Sequence, residues 1–210
     1  MSSISQQKLL DIISFTSKLL RKNFGRGPES CQAFVNHQYL VFYIRGFLSP
    51  MESVLLENGN ADNIDISRGI VMQSVLAQLK GALELQFEQD VRDFYHDWNY
   101  PNNTGTIIVV FERELTALDP NIEQFPESTA LKEEVSRISF LVEKVPEQVE
   151  AYRISPKLYL VKRVGILVPI EKALIAKGFQ NTLVATKDDL EKALLPQGRT
   201  IRRDLQPVCS

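Results

Sequence analysis

Residues 28–59 read PESCQAFVNHQYLVFYIRGFLSPMESVLLENG, and residues 146–178 read PEQVEAYRISPKLYLVKRVGILVPIEKALIAKG. With one residue inserted in the second stretch, Pro28, Glu29, Ala33, Gly46, Leu48, Pro50, Glu52, Leu55 and Gly59 meet identical residues at Pro146, Glu147, Ala151, Gly165, Leu167, Pro169, Glu171, Leu174 and Gly178. Most of these positions constrain the backbone: turn prolines, a glycine closing a strand, and Pro-x-Glu opening a helix. The spacing therefore predicts an internal duplication rather than one continuous domain.

Each stretch carries its own local code. From Ser30 to Phe47 the residues are β-branched and aromatic, and Asn36-His37-Gln38 interrupts two apolar runs, which predicts a hairpin. Ser49-Pro50-Met51-Glu52 matches a capping box with proline at the first helical position, so a short helix starts there.

Upstream, Leu9, Ile12, Ile13, Thr16 and Leu20 share one face of a helix over residues 4–23, stopped by Gly25 and Pro28. Downstream, Asn58 to Asn63 reads as a polar loop. Met72, Leu76, Leu79, Leu83 and Phe87 then mark a long amphipathic helix over roughly residues 65–90. A second hairpin is predicted where Phe94–Trp98 and Thr106–Phe111 flank the turn formers of residues 99–105.

The fold class expected is α+β: an antiparallel sheet with helices packed on one face, duplicated as one complete and one truncated unit. The complete unit spans residues 1–112, and residues 113–127 form a linker. Residues 128–210 are a truncated repeat, with a helix at 128–143, a hairpin at 147–165, a short helix from Pro169 and another from Lys187 to Leu195. Nothing after Pro196 matches the second hairpin of the first unit.

Composition narrows the function classes. With 210 residues and 44% apolar content the chain can bury a core, and a net charge of −2 removes the basic field of a dedicated nucleic-acid binder. Cys31 and Cys209 are too few for a disulfide scaffold and too far apart for a zinc motif, which fits a reducing cytoplasm. No segment reads as a leader or a membrane span.

Phe24-Gly25-Arg26-Gly27-Pro28-Glu29, followed by the hairpin and Gly46-Phe47-Leu48-Ser49-Pro50, resembles the MpsC family of small bacterial proteins. That family is typified by a Gly-Arg-Gly-Pro turn after an N-terminal helix and a strand ending in Gly-x-Leu-(Ser/Thr)-Pro. The resemblance covers about residues 5–112. The second unit matches weakly, with Lys144-Val145-Pro146 at the glycine-arginine turn and Val168 at the serine position. The family is named for a sodium-linked membrane-potential system whose companion proteins resemble an inorganic carbon uptake complex. The resemblance thus implies a soluble accessory or regulatory component of bicarbonate or ion homeostasis, partnered by a membrane transport system.

No catalytic constellation, metal cluster or cofactor motif stands out from the residues. Speculatively, a small anion such as bicarbonate would be held by Arg26, Arg45 and Ser49, with Arg163 at the place approximately equivalent to Arg45. Two physical points set the alternative beside it. The loop of Arg26 follows a helix C-terminus, whose dipole repels anions. Ser49 and Glu52 are themselves able to satisfy the amides of the next helix, so ordinary capping is the plainer reading.

His37 falls at a hairpin tip. Alternation puts Phe94, His96 and Trp98 on one strand face and Asp93, Tyr95 and Asp97 on the other, which separates the imidazole from its neighbouring carboxylates. Cys31 reads as a packed thiol. Two other classes stay open: an enzyme whose site draws on Arg26, Arg45, His96 and Asp97 between the units or across a dimer, and a nucleic-acid-associated regulator using Arg199, Arg202 and Arg203. A homodimer is expected wherever a small sheet leaves an edge uncovered.

Overall fold

The computed structural model describes residues 5–115, 125–156, 158–180, 182–184, 186, 187 and 190. They fall into two compact units, one over residues 5–115 and one over residues 125–190.

The first unit opens with α1 (Gln6–Phe24), capped by the Ser5 side chain and ended by Gly25 at φ 73°. The hairpin β1 (Ser30–Asn36) and β2 (Tyr39–Arg45) follows, with His37 at φ 54° in its turn. Next come α2 (Pro50–Glu57), α3 (Ala61–Phe87), and the hairpin β3 (Val91–Asn99) and β4 (Thr104–Phe111). The four strands form one antiparallel sheet in the order β1-β2-β4-β3, so the two hairpins meet along β2 and β4.

Period-two alternation sends Leu40, Phe42 and Ile44 of β2, with Ile107, Val109 and Phe111 of β4, to the face shared with the helices. Against them pack Ile12, Leu19 and Leu20 of α1 and Met72, Val75, Leu79 and Leu83 of α3. Fully burying each such side chain is worth about 1.5–3 kcal/mol, so the core rests on these two helices and two central strands.

α3 differs from expectation at its start. The polar loop shrinks to residues 58–60 because the helix already runs from Ala61, carrying Ile64 into the core. Glu88 at φ 56° then ends it.

The second unit contains α4 (Ser128–Val142), the hairpin β5 (Gln148–Ser155) and β6 (Leu158–Val164), and α5 (Pro169–Ala176). Residues 180, 182–184, 186, 187 and 190 are helical, so helix begins before Lys187, and the rest of the helix expected over 187–195 lies outside the described residues. α4 packs on β5, and Val135, Ile138, Ala151 and Ile166 are buried. Among the described residues its sheet has two strands, with a register shift between Arg153 and Ser155.

Candidate functional site

Glu52 and Arg68 define the most strongly structured polar site. Glu52 stands at the third position of α2, where its carboxylate accepts from the Ser49 amide at 2.7 Å while Ser49 Oγ accepts from the Glu52 amide at 3.3 Å. The predicted capping box is therefore present. The same carboxylate accepts from Arg68 Nε at 2.7 Å and from Arg68 Nη2 at 3.0 Å, a bidentate pair with the guanidinium 2% exposed. Arg68 Nη2 also donates to the Phe47 carbonyl at 2.8 Å.

Four rings surround this guanidinium. Its carbon lies 4.5 Å from the ring centre of Trp98, 5.0 Å from Phe47, and 5.7 Å from both Phe24 and Tyr100. Such stacking suits the planar, weakly hydrated guanidinium and not a lysine ammonium. Each wall comes from a different element: the end of α1, the β2–α2 loop, β3 and the second hairpin turn.

Local sequence explains how the walls are held. Gly105 has no side chain, and a Cβ there would overlap the Trp98 ring. Asn103 at φ 46° turns its side-chain oxygen onto the Phe47 and Leu48 amides at 2.8 and 3.1 Å, and its carbonyl accepts from Gly46. Gly46 at φ 65° leaves room for the Glu29 side chain, which a Cβ would strike. Tyr100 donates to Asp65 on α3.

Electrostatics follow from this packing. Burial alone would raise the Glu52 pKa, but hydrogen bonds from Arg68 and the Ser49 amide, with the Arg68 charge, hold it below the ordinary carboxylate value. Burial, then the Asp65 carboxylate, pushes the Tyr100 phenol upward. His96 lies on the face of β3 shared with Trp98, and burial lowers its pKa against the opposing pull of Asp97. The expected separation of His96 from Asp97 by strand alternation holds: they pair with Ile107 and Thr106, on opposite faces. Cys31 is a free thiol that burial drives up to about 11.

The four residues considered for an anion occupy different settings. Arg26 is exposed and pairs with Glu29 Oε1 at 3.2 Å. Arg45 is exposed at the end of β2, where its carbonyl accepts from the Glu29 amide. The amides of residues 47, 48, 49, 52 and 53 all donate to protein oxygens of Asn103, Glu52 and Ser49. Arg163 stands one residue before Val164, whose carbonyl accepts from the Glu147 amide as the Arg45 carbonyl accepts from the Glu29 amide. Arg163 is buried, donating to Ser139 Oγ at 3.0 Å.

Sequence reading missed Arg68. Its signal was a charged residue in core phase, four residues after Ile64 and four before Met72 on the buried face of α3. No group of three or more His, Cys, Asp or Glu side chains assembles as a metal site among the described residues.

The whole motif Phe24 to Pro50, with the helix and hairpin that complete the cage, falls in one continuous segment. A family model described as "Na+-translocating membrane potential-generating system (MpsC)" matches residues 6–113, just over half of the chain. The chain belongs to the MpsC family. The matched segment begins at the first residue of α1 and ends two residues past β4, so the MpsC unit is the complete four-stranded unit. No curated protein and no solved structure matches the chain. As an MpsC member it is associated with a sodium-linked membrane-potential system. No helix among the described residues is long and apolar enough to cross a membrane.

Proposed function

We propose that this chain is a non-catalytic accessory or regulatory protein of bacterial inorganic carbon or ion homeostasis. It works in the cytoplasm through a protein interface with a membrane transport system. The observation that carries this reading is the buried Arg68 site, to which the two ends of the family motif contribute Phe24 and Phe47. Phe24 and Phe47 stack on the Arg68 guanidinium, Ser49 caps α2, and Glu52 ties that cap to Arg68 on α3. A site spent on rigidity presents a preformed outer surface to a partner. A bicarbonate-sensing version keeps the exposed Arg45 as its cation.

The duplication belongs to the same proposal: residues 128–210 are a truncated copy of residues 1–112. Gly165 at φ 74° accommodates Glu147 as Gly46 accommodates Glu29. Glu171 accepts from the Val168 amide at 2.9 Å and pairs with Lys187 Nζ at 2.6 Å, repeating the roles of Glu52 with a lysine at the place of Arg68. Val168 lacks the capping oxygen of Ser49, so only half of the capping box recurs.

The test is deletion of the gene in the source organism, followed by labelled bicarbonate uptake and membrane-potential measurements at varied sodium. A defect restored by the wild-type chain supports the reading. Unchanged uptake and potential under carbon and sodium limitation would sink it.

A further inference from the structure

β2 and β6 are equivalent strands with different surroundings. β2 pairs with β1 on one side and with β4 on the other. β6 pairs with β5 alone among the described residues. The Gly46 amide bonds the Asn103 carbonyl and the Phe111 amide bonds the Gln38 carbonyl, so alternation aims the backbone groups of Leu40, Phe42 and Ile44 at β4. In the second unit the Val164 carbonyl faces β5, which turns the N–H and C=O of Tyr159 and Val161 to the outer edge.

Side-chain burial follows the same difference. Phe42 is fully buried beneath the completed sheet, whereas Val161 at its place is half-buried and Tyr159 is 39% exposed. A two-stranded sheet is marginal in water, and three or more strands are needed for independent stability. β3 and β5, by contrast, are edge strands broken by register shifts, a feature that discourages edge pairing.

We propose that the outer edge of β6 pairs antiparallel with β6 of a second copy, the two strands taking the place that β4 holds beside β2. The sequence LYLVKRV is self-complementary about Val161. Across two copies it sets Leu158 opposite Val164, Tyr159 opposite Arg163 and Leu160 opposite Lys162, so no like charges stand directly opposite. A two-fold contact of this kind closes on itself and yields a dimer joined through one continuous four-stranded sheet. The inference rests on the proposed duplication of the two units and not on the membrane-system reading.

The test uses the full chain. Light scattering after size exclusion is expected to give a dimer that dissociates on dilution. Val161→Pro, which removes an outward donor at an edge position where proline fits, is expected to give a monomer with unchanged far-ultraviolet circular dichroism. Hydrogen exchange on the wild type reads the same contact without a variant: the Tyr159 and Val161 amides should exchange at least about tenfold more slowly in the dimer than in the diluted chain. A wild-type monomer at the highest soluble concentration, a dimer that survives Val161→Pro, or exchange at these amides that ignores concentration would each overturn the proposal. Protection of both amides in a monomer would also overturn it, since a segment of the same chain would then cover the edge.

Discussion

Glu52 and Arg68 lie sixteen residues apart in sequence and form a buried bidentate ion pair, and Glu171 and Lys187 repeat the same separation in the second unit. The partners of the two cations differ. Arg68 is enclosed by aromatic rings, while Lys187 lies 2.6 Å from both Glu143 and Glu171. One unit neutralises its carboxylate beneath π-faces, and in the other an ammonium bridges two carboxylates.

Arg68→Met leaves the Glu52 carboxylate buried and unpaired, and should destabilise the first unit by about 3–5 kcal/mol. Adding Glu52→Gln retains an acceptor for the Ser49 amide and removes the stranded charge, so the double variant should recover part of the loss. Urea denaturation of the wild type, both single variants and the double variant measures the coupling.

Gly105→Ala forces the Trp98 ring from its place over the guanidinium, at a cost of about 1–3 kcal/mol. Trp98 is the only tryptophan in the chain, so the intrinsic emission reports this ring alone. A red-shifted emission maximum with a lowered midpoint is the expected result; unchanged emission would show that the cage tolerates a methyl group.

Acid should weaken the first unit in two steps. The folded pKa of His96 is lowered by burial, so as pH falls through about 6.5 the unfolded chain takes a proton that the folded chain refuses. That loss levels off below the folded value. Glu52 is also lowered, so a further loss begins as pH falls through the ordinary carboxylate range and continues to its folded pKa. His96→Gln should abolish the first step and keep the second in a pH series of denaturation midpoints. At the alkaline end, the raised Tyr100 phenol predicts falling stability above about pH 10.

Cys31 should be a poor nucleophile in the folded chain. A thiol pushed from 9.0 to about 11 carries about 100-fold less thiolate at pH 8. Iodoacetamide labelling in a Cys209→Ser background should be slow in buffer and fast in urea, and equal rates would contradict the burial of this thiol.

Lys187→Met removes the ammonium that bridges Glu143 and Glu171, and should cost the second unit about 3–5 kcal/mol. The expected signature is an early transition in circular dichroism while the Trp98 emission keeps its wild-type midpoint. A coincident fall of both signals would mean that the two units unfold as one.

Local chemistry was readable where a few neighbouring residues decide the outcome. The stop of α1 at Gly25, the hairpin turn at His37 and the Ser49–Glu52 capping box each depend on backbone conformation or on a side chain reaching three residues. The start of α3 was not readable in this way. Asn60 caps it without a side-chain hydrogen bond, so its first turn is set by burial of Ile64 against the rest of the unit. The burial of Arg163 was not readable either, because its place opposite Val149 is fixed by hydrogen-bond register across two strands.

The sequence by itself determined the order of elements, the α+β class, and the paired motifs from Pro28 and Pro146, because period, capping and turn chemistry act over a few residues. Only the tertiary structure decided that β2 and β4 join the two hairpins, and that Phe24, Phe47, Trp98 and Tyr100 converge on Arg68. Those four rings span most of the first unit in sequence. A guanidinium becomes a core residue only when a carboxylate and aromatic faces reach it together, and that meeting is fixed by long-range packing.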